Sequence, residues 1–385
     1  MTTISNMIGP PVTGADFFGR HKELERARRL LSTGHSLAMS APRRVGKSSM
    51  AHKLLELYKA DGWRCVYIDL EGLSSAEDFL RLLIQKFSSS NLWKRAARNT
   101  KDSVAQILES LKSIGPLTWD FKAWEHNIYE QPGELLDTAQ DTLIVIDELT
   151  LFLNSMESES DCAVSSRLLN WLRSLRQIEN TRIRWIFCGS VGVHNFTRMR
   201  NLTHTVNDMV TFDFDAMTAD EAPGLIRALF ASDGIQVEEM IVERMLTAVE
   251  WWVPYFIQLQ YSYIREALSA SRTLTPELVD EMTRNIARSE ALTTWSERLR
   301  EYNGYEEGAR AVLRWTCETP EGLSKAELLT RYADISEFKS SFEAETHLSN
   351  VLNMLEHDGY IVRRDGKRAF RSRLLRDWWY WHYVE

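Results

Sequence analysis

Five short runs of apolar and β-branched residues stand out in the first 215 positions, at 35–41, 64–70, 142–147, 182–189 and 210–214. Helical spacing separates them. Strands that alternate with helices and are apolar on both faces predict a parallel sheet covered by helices on each side. The stretch from about Ser88 to Gln140 is longer than a crossover needs. Within it Pro116-Leu117-Thr118-Trp119-Asp120-Phe121 alternates as a short extended segment would, and insertions of this kind often carry partner specificity.

Beyond Asp215 the strand signal stops. Thr218 with Glu221 three residues on has the form of a capping box opening a helix to about 232, and helical stretches follow at 237–249, 254–268 and 275–290. A third pattern starts near Gly308: a helix to about Cys317, a second capped by Ser324 and Glu327, and a third from about Phe342. That third helix places Leu348, Val351, Leu352 and Leu355 on one face and stops at Gly359. Extended runs at 360–364 and 368–372 flank Asp365-Gly366, a dipeptide favoured in tight hairpins. Three helices and a hairpin predict a winged helix. The expected domains are 1–215, 216–300 and 301–385. No fixed-period repeat or low-complexity tract interrupts them.

The strongest chemical signal is Ala41-Pro42-Arg43-Arg44-Val45-Gly46-Lys47-Ser48, between a predicted strand and a predicted helix. A phosphate chain needs converging backbone N–H groups, a flexible glycine before a lysine, and a hydroxyl for Mg²⁺, and this segment has all three at P-loop spacing. Ala41 stands where the pattern has its first glycine. Its partner is Leu143-Ile144-Val145-Ile146-Asp147-Glu148, four apolar residues that bury a strand and two carboxylates that emerge at its carboxyl end. The expected roles are Mg²⁺ binding for Asp147 and Ser48, phosphate charge for Lys47, and activation of water for Glu148.

The fourth strand ends in Cys188-Gly189-Ser190. In P-loop ATPases with an extra strand between the two motif strands a polar residue here reaches the γ-phosphate or its water, so Ser190 is a catalytic candidate; a plain turn serine is the other reading. Arg198 and Arg200 stand where an oligomeric ATPase carries an arginine acting on a neighbour's nucleotide, or are solvated surface arginines. Cys188 precludes a GxSxG nucleophile elbow.

Composition narrows the setting. The 385 residues are 44% hydrophobic and 26% charged, enough for two or three packed cores. A net charge of −8, from 46 basic and 54 acidic side chains, excludes a general positive field for nucleic acid. Cys65, Cys162, Cys188 and Cys317 form no CxxC pair, and the nine histidines show no metal spacing, so Mg²⁺ is the only metal implied. No leader and no apolar run of membrane-crossing length is apparent, and a cytoplasmic location is expected. The helix from Phe342 contains Glu343, Glu345, Glu356 and Asp358 and no lysine or arginine. The wing segment 361–376 instead holds Arg363, Arg364, Lys367, Arg368, Arg371, Arg373 and Arg376 against Asp365. These basic residues either contact DNA, Arg363, Arg364, Lys367 and Arg368 first, or pair with the acidic core. Thirteen tryptophans, with Trp251-Trp252 and a Trp378-to-Tyr383 cluster, predict extensive core packing, with a protein-partner surface as the alternative.

Phe17-Phe18-Gly19-Arg20 with Lys22-Glu23-Leu24, the P-loop, Tyr67-Ile68-Asp69-Leu70, Ile146-Asp147-Glu148, Trp252-Val253-Pro254-Tyr255-Phe256, Leu355 to Ile361 and Phe370 to Trp379 resemble the archaeal-type P-loop ATPases of the AAA+/STAND group. The resemblance spans nearly the whole chain. It implies an α/β parallel sheet of the P-loop NTPase (ASCE/AAA+) class, followed by a helical lid and a C-terminal winged-helix domain. It also implies ATP or ADP with Mg²⁺ as cofactors. Nucleotide contacts would come from Phe18, Gly19 and Arg20 at the adenine and from Pro42, Arg43, Arg44, Val45, Gly46, Lys47, Ser48 and Ser49 at the phosphates. Pro254 would add the lid's contact, in a Trp252-Val253-Pro254 sequence where STAND members usually have Gly-x-Pro. The activity implied is a slow, Mg²⁺-dependent ATPase acting as a switch coupled to the winged helix. A DNA- or protein-binding module with a regulatory nucleotide, and a homo-oligomerising signalling or defence ATPase, are the two alternatives.

Overall fold

The computed structural model describes residues 4–75, 78, 79, 82, 83, 86, 140–157, 163–189, 192–302, 304–335, 338 and 340–385. The extended segment expected at 116–121, the insertion around it, Cys162 and Ser190 lie outside the described residues. The chain divides into two compact units, one of residues 22–40 and 50–213, the other of 1–21, 41–49 and 214–385.

The first unit is a parallel sheet of β1 (Ser36–Ser40), β2 (Arg64–Asp69), β3 (Thr142–Asp147), β4 (Ile183–Cys188) and β5 (Met209–Asp213) in the order β2-β3-β4-β1-β5. β4 therefore lies between the strand that leads into the P-loop and the strand that ends in Asp147. Every residue of β3 is buried, as a central strand covered on both faces requires. The edge strands differ from the expectation of two apolar faces: β5 reads buried, half-buried, exposed, buried, exposed, and β2 keeps three half-buried positions and an exposed Asp69. An edge strand has a neighbour on one side only, so it is covered less completely than the centre. Helices α1 (His21–Ser32), α2 (Lys47–Ala60), α3 (Leu149–Met156), α4 (Ala163–Arg176) and α5 (Val193–Met199) accompany the sheet. Leu168, Leu172 and Trp171 of α4 join Ile144, Ile146, Trp185 and Phe187 in one core.

The second unit opens with α6 (Glu221–Ser232), α7 (Glu239–Val249), α8 (Pro254–Ser269) and α9 (Pro276–Ala287). The Thr218 and Glu221 side chains each accept the other's backbone N–H, the reciprocal bonds of a capping box. Proline supplies the first residue of α8 and of α9, where its missing N–H costs nothing. Leu225, Phe230, Met245, Ile257, Tyr261 and Val279 form the core of these four helices, and Ile4 of the N-terminal segment is buried among them.

Then come α10 (Thr293–Arg298), α11 (Glu306–Glu318), β6 (Leu323–Ser324), α12 (Lys325–Tyr332), α13 (Ser341–Asp358), β7 (Ile361–Arg364), β8 (Lys367–Phe370) and α14 (Arg373–Tyr383). The short strands form an antiparallel sheet in the order β6-β8-β7. Ser324 and Glu327 make the full capping box at α12. α13 ends at Gly359 with φ of 85°, where Gly359 N–H reaches Glu356 O and Tyr360 N–H reaches Leu355 O. That pair of bonds is a Schellman close, and it needs a residue at ease in the left-handed region. Asp365 and Gly366, both at positive φ, turn the β7–β8 hairpin as expected. α10, β6 and α14 add to the elements read from sequence; α14 packs against α9 and α11.

Candidate nucleotide site

The loop 41–49 follows β1 and passes into α2 at Lys47. Residues 41–50 contain Arg43, Arg44 and Lys47 and no carboxylate, and they end in a helix N-terminus, so the donor set fits an anion. Arg44 (φ 64°) and Gly46 (φ 104°) turn the backbone through the left-handed region. Lys47 is 8% exposed, and its ammonium donates to Ala41 O at 2.7 Å and Pro42 O at 3.1 Å, which folds it back over its own loop. Ser48 is half-buried on the first turn of α2.

The loop is gripped from several places distant in sequence. Ser49 Oγ accepts Val12 N–H at 3.0 Å, so its hydroxyl holds the N-terminal segment. Arg44 donates to Gly9 O at 3.1 Å while its guanidinium lies 4.7 Å from the Tyr255 ring centre. Buried Pro42 sits beside Gly359: a Cβ there would fall 2.9 Å from Pro42 Cβ and 2.4 Å from the Trp251 ring, so only glycine fits.

Phe18, Gly19 and Arg20 form a tight turn, with φ of 69° at Gly19 and 61° at Arg20. Arg20 N–H donates to Glu221 Oε1 at 2.5 Å, and its buried guanidinium donates to Val45 O at 2.9 Å and lies 5.0 Å from the Phe214 ring centre. Phe18 packs on α6 where Gly224 leaves room for its ring. The turn thus joins the loop to the start of α6. Burial alone raises the Glu221 carboxyl, but hydrogen bonds from the Arg20 and Thr218 N–H groups and the Arg20 charge outweigh it and hold the group below its ordinary value. Pro254 begins α8, within the same unit as the loop.

At the carboxyl end of β3 Asp147 is 3% exposed. Its Oδ2 accepts the Tyr67 hydroxyl at 2.7 Å and its Oδ1 accepts Glu148 N–H at 3.0 Å. Burial first, then the Asp147 charge, push the Tyr67 phenol far above its ordinary value, so it is a proton donor at neutral pH. Glu148 is half-buried and takes a left-handed backbone (φ 53°) as the cap of α3, a strained conformation of the sort that collects at functional sites. Among the described residues no cluster of three metal-binding side chains occurs.

Arg200 departs from the expectation of a solvated arginine. Its Nε lies 2.7 Å from Glu157 Oε2, its Nη2 donates to Asn154 Oδ1 at 2.8 Å, and it stacks 3.9 Å from the Phe196 ring centre. Arg198 is exposed and reaches Asn195 at 3.0 Å. The basic residues at and after the hairpin are also engaged: Arg368 pairs with Glu356, Arg373 and Arg376 with Asp377, and Arg371 reaches back to Asp215, the last residue of the expected core, as pairing with that core would have it. The roles of Gly9, Val12 and Tyr67 were not legible in the motifs. Their only sequence signal is a small residue, an apolar residue and an aromatic at strand spacing.

Residues 28–195 match the family described as AAA domain. The chain is similar in structure to the Walker-type ATPase of Pyrococcus abyssi, with 16% identity, a TM-score of 0.61, and coverage of 97% of this chain and 99% of that one. It is also similar to the ORC2 protein of Aeropyrum pernix, solved as ADPNP-ADP complexes, with 16% identity, a TM-score of 0.56 and coverage of 96% and 92%. No curated protein matches the sequence. At this identity the structural likenesses establish the fold, the parallel α/β sheet of P-loop NTPases, and residues 28–195 are the segment similar to the AAA domain family.

Proposed function

We propose that this chain binds and hydrolyses ATP with Mg²⁺ and uses the nucleotide's state to control a C-terminal winged helix. Residues 1–215 are read as the ATPase core, 216–300 as its lid and 301–385 as the winged helix. The observation that carries the reading is topological. β1, which leads into the P-loop, and β3, which ends in Asp147 and Glu148, flank β4 and finish at the same carboxyl edge, where open α/β sheets bind their ligands. Lys47 and the loop amides hold the phosphates, and Glu148 orients the attacking water. Ser48 and Asp147 would hold Mg²⁺, which would supply neutralising charge to the phosphates when bound. Phe18, Gly19, Arg20 and Pro254 line the adenine side. A change in the loop reaches the C-terminal elements through Pro42, which touches the end of α13 at Gly359.

The test is ATP binding and phosphate release by the wild type, Lys47→Ala and Glu148→Gln. Lys47→Ala should lose affinity. Glu148→Gln should hold ATP and release phosphate at least about a hundred-fold more slowly, the size of effect that follows loss of one transition-state contact. Unchanged release in Glu148→Gln overturns its role, and absence of ATP binding in the wild type overturns the whole reading.

The hairpin supports a second, compatible role. Arg363 and Arg364 are exposed at its tip, beside the two-residue turn, while four other wing arginines are engaged within the chain. DNA contact through the tip predicts that Arg363→Ala with Arg364→Ala lowers the salt dependence of binding by about one unit of slope per lost phosphate contact. An unchanged slope assigns the tip no such contact.

A further inference from the structure

Tyr67 lies on β2, which pairs with β3 in parallel so that Tyr67 stands opposite Val145 and Asp69 opposite Asp147. Residues two apart on a strand share a face, so Tyr67 and Asp147 are diagonal neighbours on one side of the sheet. That diagonal is within reach of an aromatic side chain, and the phenol closes it with the 2.7 Å bond to Asp147 Oδ2. The His52 ring lies against the Tyr67 ring, with centres 4.3 Å apart and planes at 33°. His52 belongs to α2, one turn beyond Ser48 and so on the same helix face.

A carboxylate at the end of a strand has a freely turning terminal torsion unless something fixes it. Asp147 is fixed at both oxygens, one by the next backbone N–H and the other by a hydroxyl from the adjacent strand. Each oxygen still has a lone pair for a cation. The hydroxyl is in turn borne on a ring packed against α2. The carboxylate and the helix that carries Ser48 are therefore joined by an aromatic brace.

We propose that Tyr67 is a positioning residue for the metal carboxylate, and that His52 acts through it; this rests on the reading of Asp147 as a magnesium ligand. Tyr67 fixes which lone pairs Asp147 presents, and His52 sets where the phenol stands relative to the start of α2. Neither side chain touches the nucleotide. Their effect is on metal affinity, and outer-shell partners of this kind typically govern about a 10- to 100-fold range of it.

The experiment is a Mn²⁺ titration of the ADP-loaded full chain followed by electron paramagnetic resonance, with ADP affinity measured separately in chelator. Tyr67→Phe keeps the ring and its contact with His52 and removes only the hydroxyl. It should weaken Mn²⁺ binding about 10-fold, leave metal-free ADP affinity unchanged, and regain turnover at high Mg²⁺. Asp147→Asn is the control. If Asp147→Asn weakens Mn²⁺ and Tyr67→Phe does not, the positioning role is overturned while Asp147 stands as the ligand. If Asp147→Asn leaves Mn²⁺ affinity intact, the metal reading itself fails. His52→Ala should weaken Mn²⁺ binding in the wild type and change it little in Tyr67→Phe. Equal effects in both backgrounds overturn His52's action through Tyr67. Tyr67→Gln, which restores a donor, should recover part of the lost affinity; recovery of none, in a variant whose thermal melt matches wild type, counts against the hydrogen bond as the cause.

Discussion

The loop 41–49 and the carboxyl end of β3 carry the two halves of the same motif pair and are secured in opposite ways. The Asp147 carboxylate depends on its immediate successor, Glu148, and on Tyr67 of the adjoining strand, all within the sheet unit. The loop is held by Gly9, Val12, Arg20, Tyr255 and Gly359, which come from the N-terminal segment, α8 and the end of α13. One half is set by strand pairing and changes little with its surroundings. The other is set by packing among distant elements and responds when any of them shifts. The difference can be broken experimentally.

The largest effect is expected beneath the loop's C-terminal support. Asp358 is buried, accepts the Tyr302 hydroxyl at 2.7 Å and lies 3.6 Å from buried Arg298 Nε. Asp358→Leu removes one of the two carboxylates that face that guanidinium, Glu301 being the other, so the cost falls at the lower end of the about 3–5 kcal/mol for breaking a buried pair. Denaturant unfolding should show it, with ATP affinity falling in parallel. On the sheet side Glu148→Gln should leave stability nearly unchanged while slowing turnover by about 2.7 kcal/mol or more in barrier. Chemical denaturation beside phosphate release separates the two cases.

Gly359→Ala comes next. The added methyl meets Trp251 and Pro42 at a backbone φ of 85°, so a left-handed penalty of about 1–2 kcal/mol adds to overpacking of about 1–3 kcal/mol. A melting temperature equal to wild type would detach Pro42 from the C-terminal elements.

The smallest effect concerns Glu221. Its folded carboxyl titrates below the ordinary glutamate value, so the stability it contributes is present above that value and is lost as pH falls through the lower, folded one. As pH falls through the ordinary glutamate range and below it, the wild type should therefore lose more stability than Glu221→Gln. Equal losses would show that the Arg20 and Thr218 bonds do not discriminate between the charged and neutral forms.

The legible parts of the molecule were those encoded by consecutive residues. The P-loop, the Asp147-Glu148 pair, the capping box at Ser324 and the Asp365-Gly366 turn each need a handful of neighbours in sequence, and the strands and most helices follow from periodicity. What stayed hidden rests on long-range contact. Nothing near Val12 announces that its N–H meets Ser49, and nothing near Arg200 announces Glu157, which lies 43 residues away. Tyr67 reads as an ordinary strand aromatic until β2 is placed beside β3 in register. α14 was obscured by its own composition: its aromatic residues look like generic core residues, although Trp378 and Trp379 are fully buried beside Leu374 and Leu375 while Tyr380, Trp381 and Tyr383 are exposed.

The placement of Trp251 has a practical corollary. Its indole, like Pro42, lies against Gly359, and it continues edge-to-face into Trp295 and from there to Tyr360. Emission from this indole depends on what its ring touches, so the molecule contains a built-in optical reporter of the packing around Gly359. Trp251→Phe, compared with wild type, would isolate its share of the signal without any attached dye.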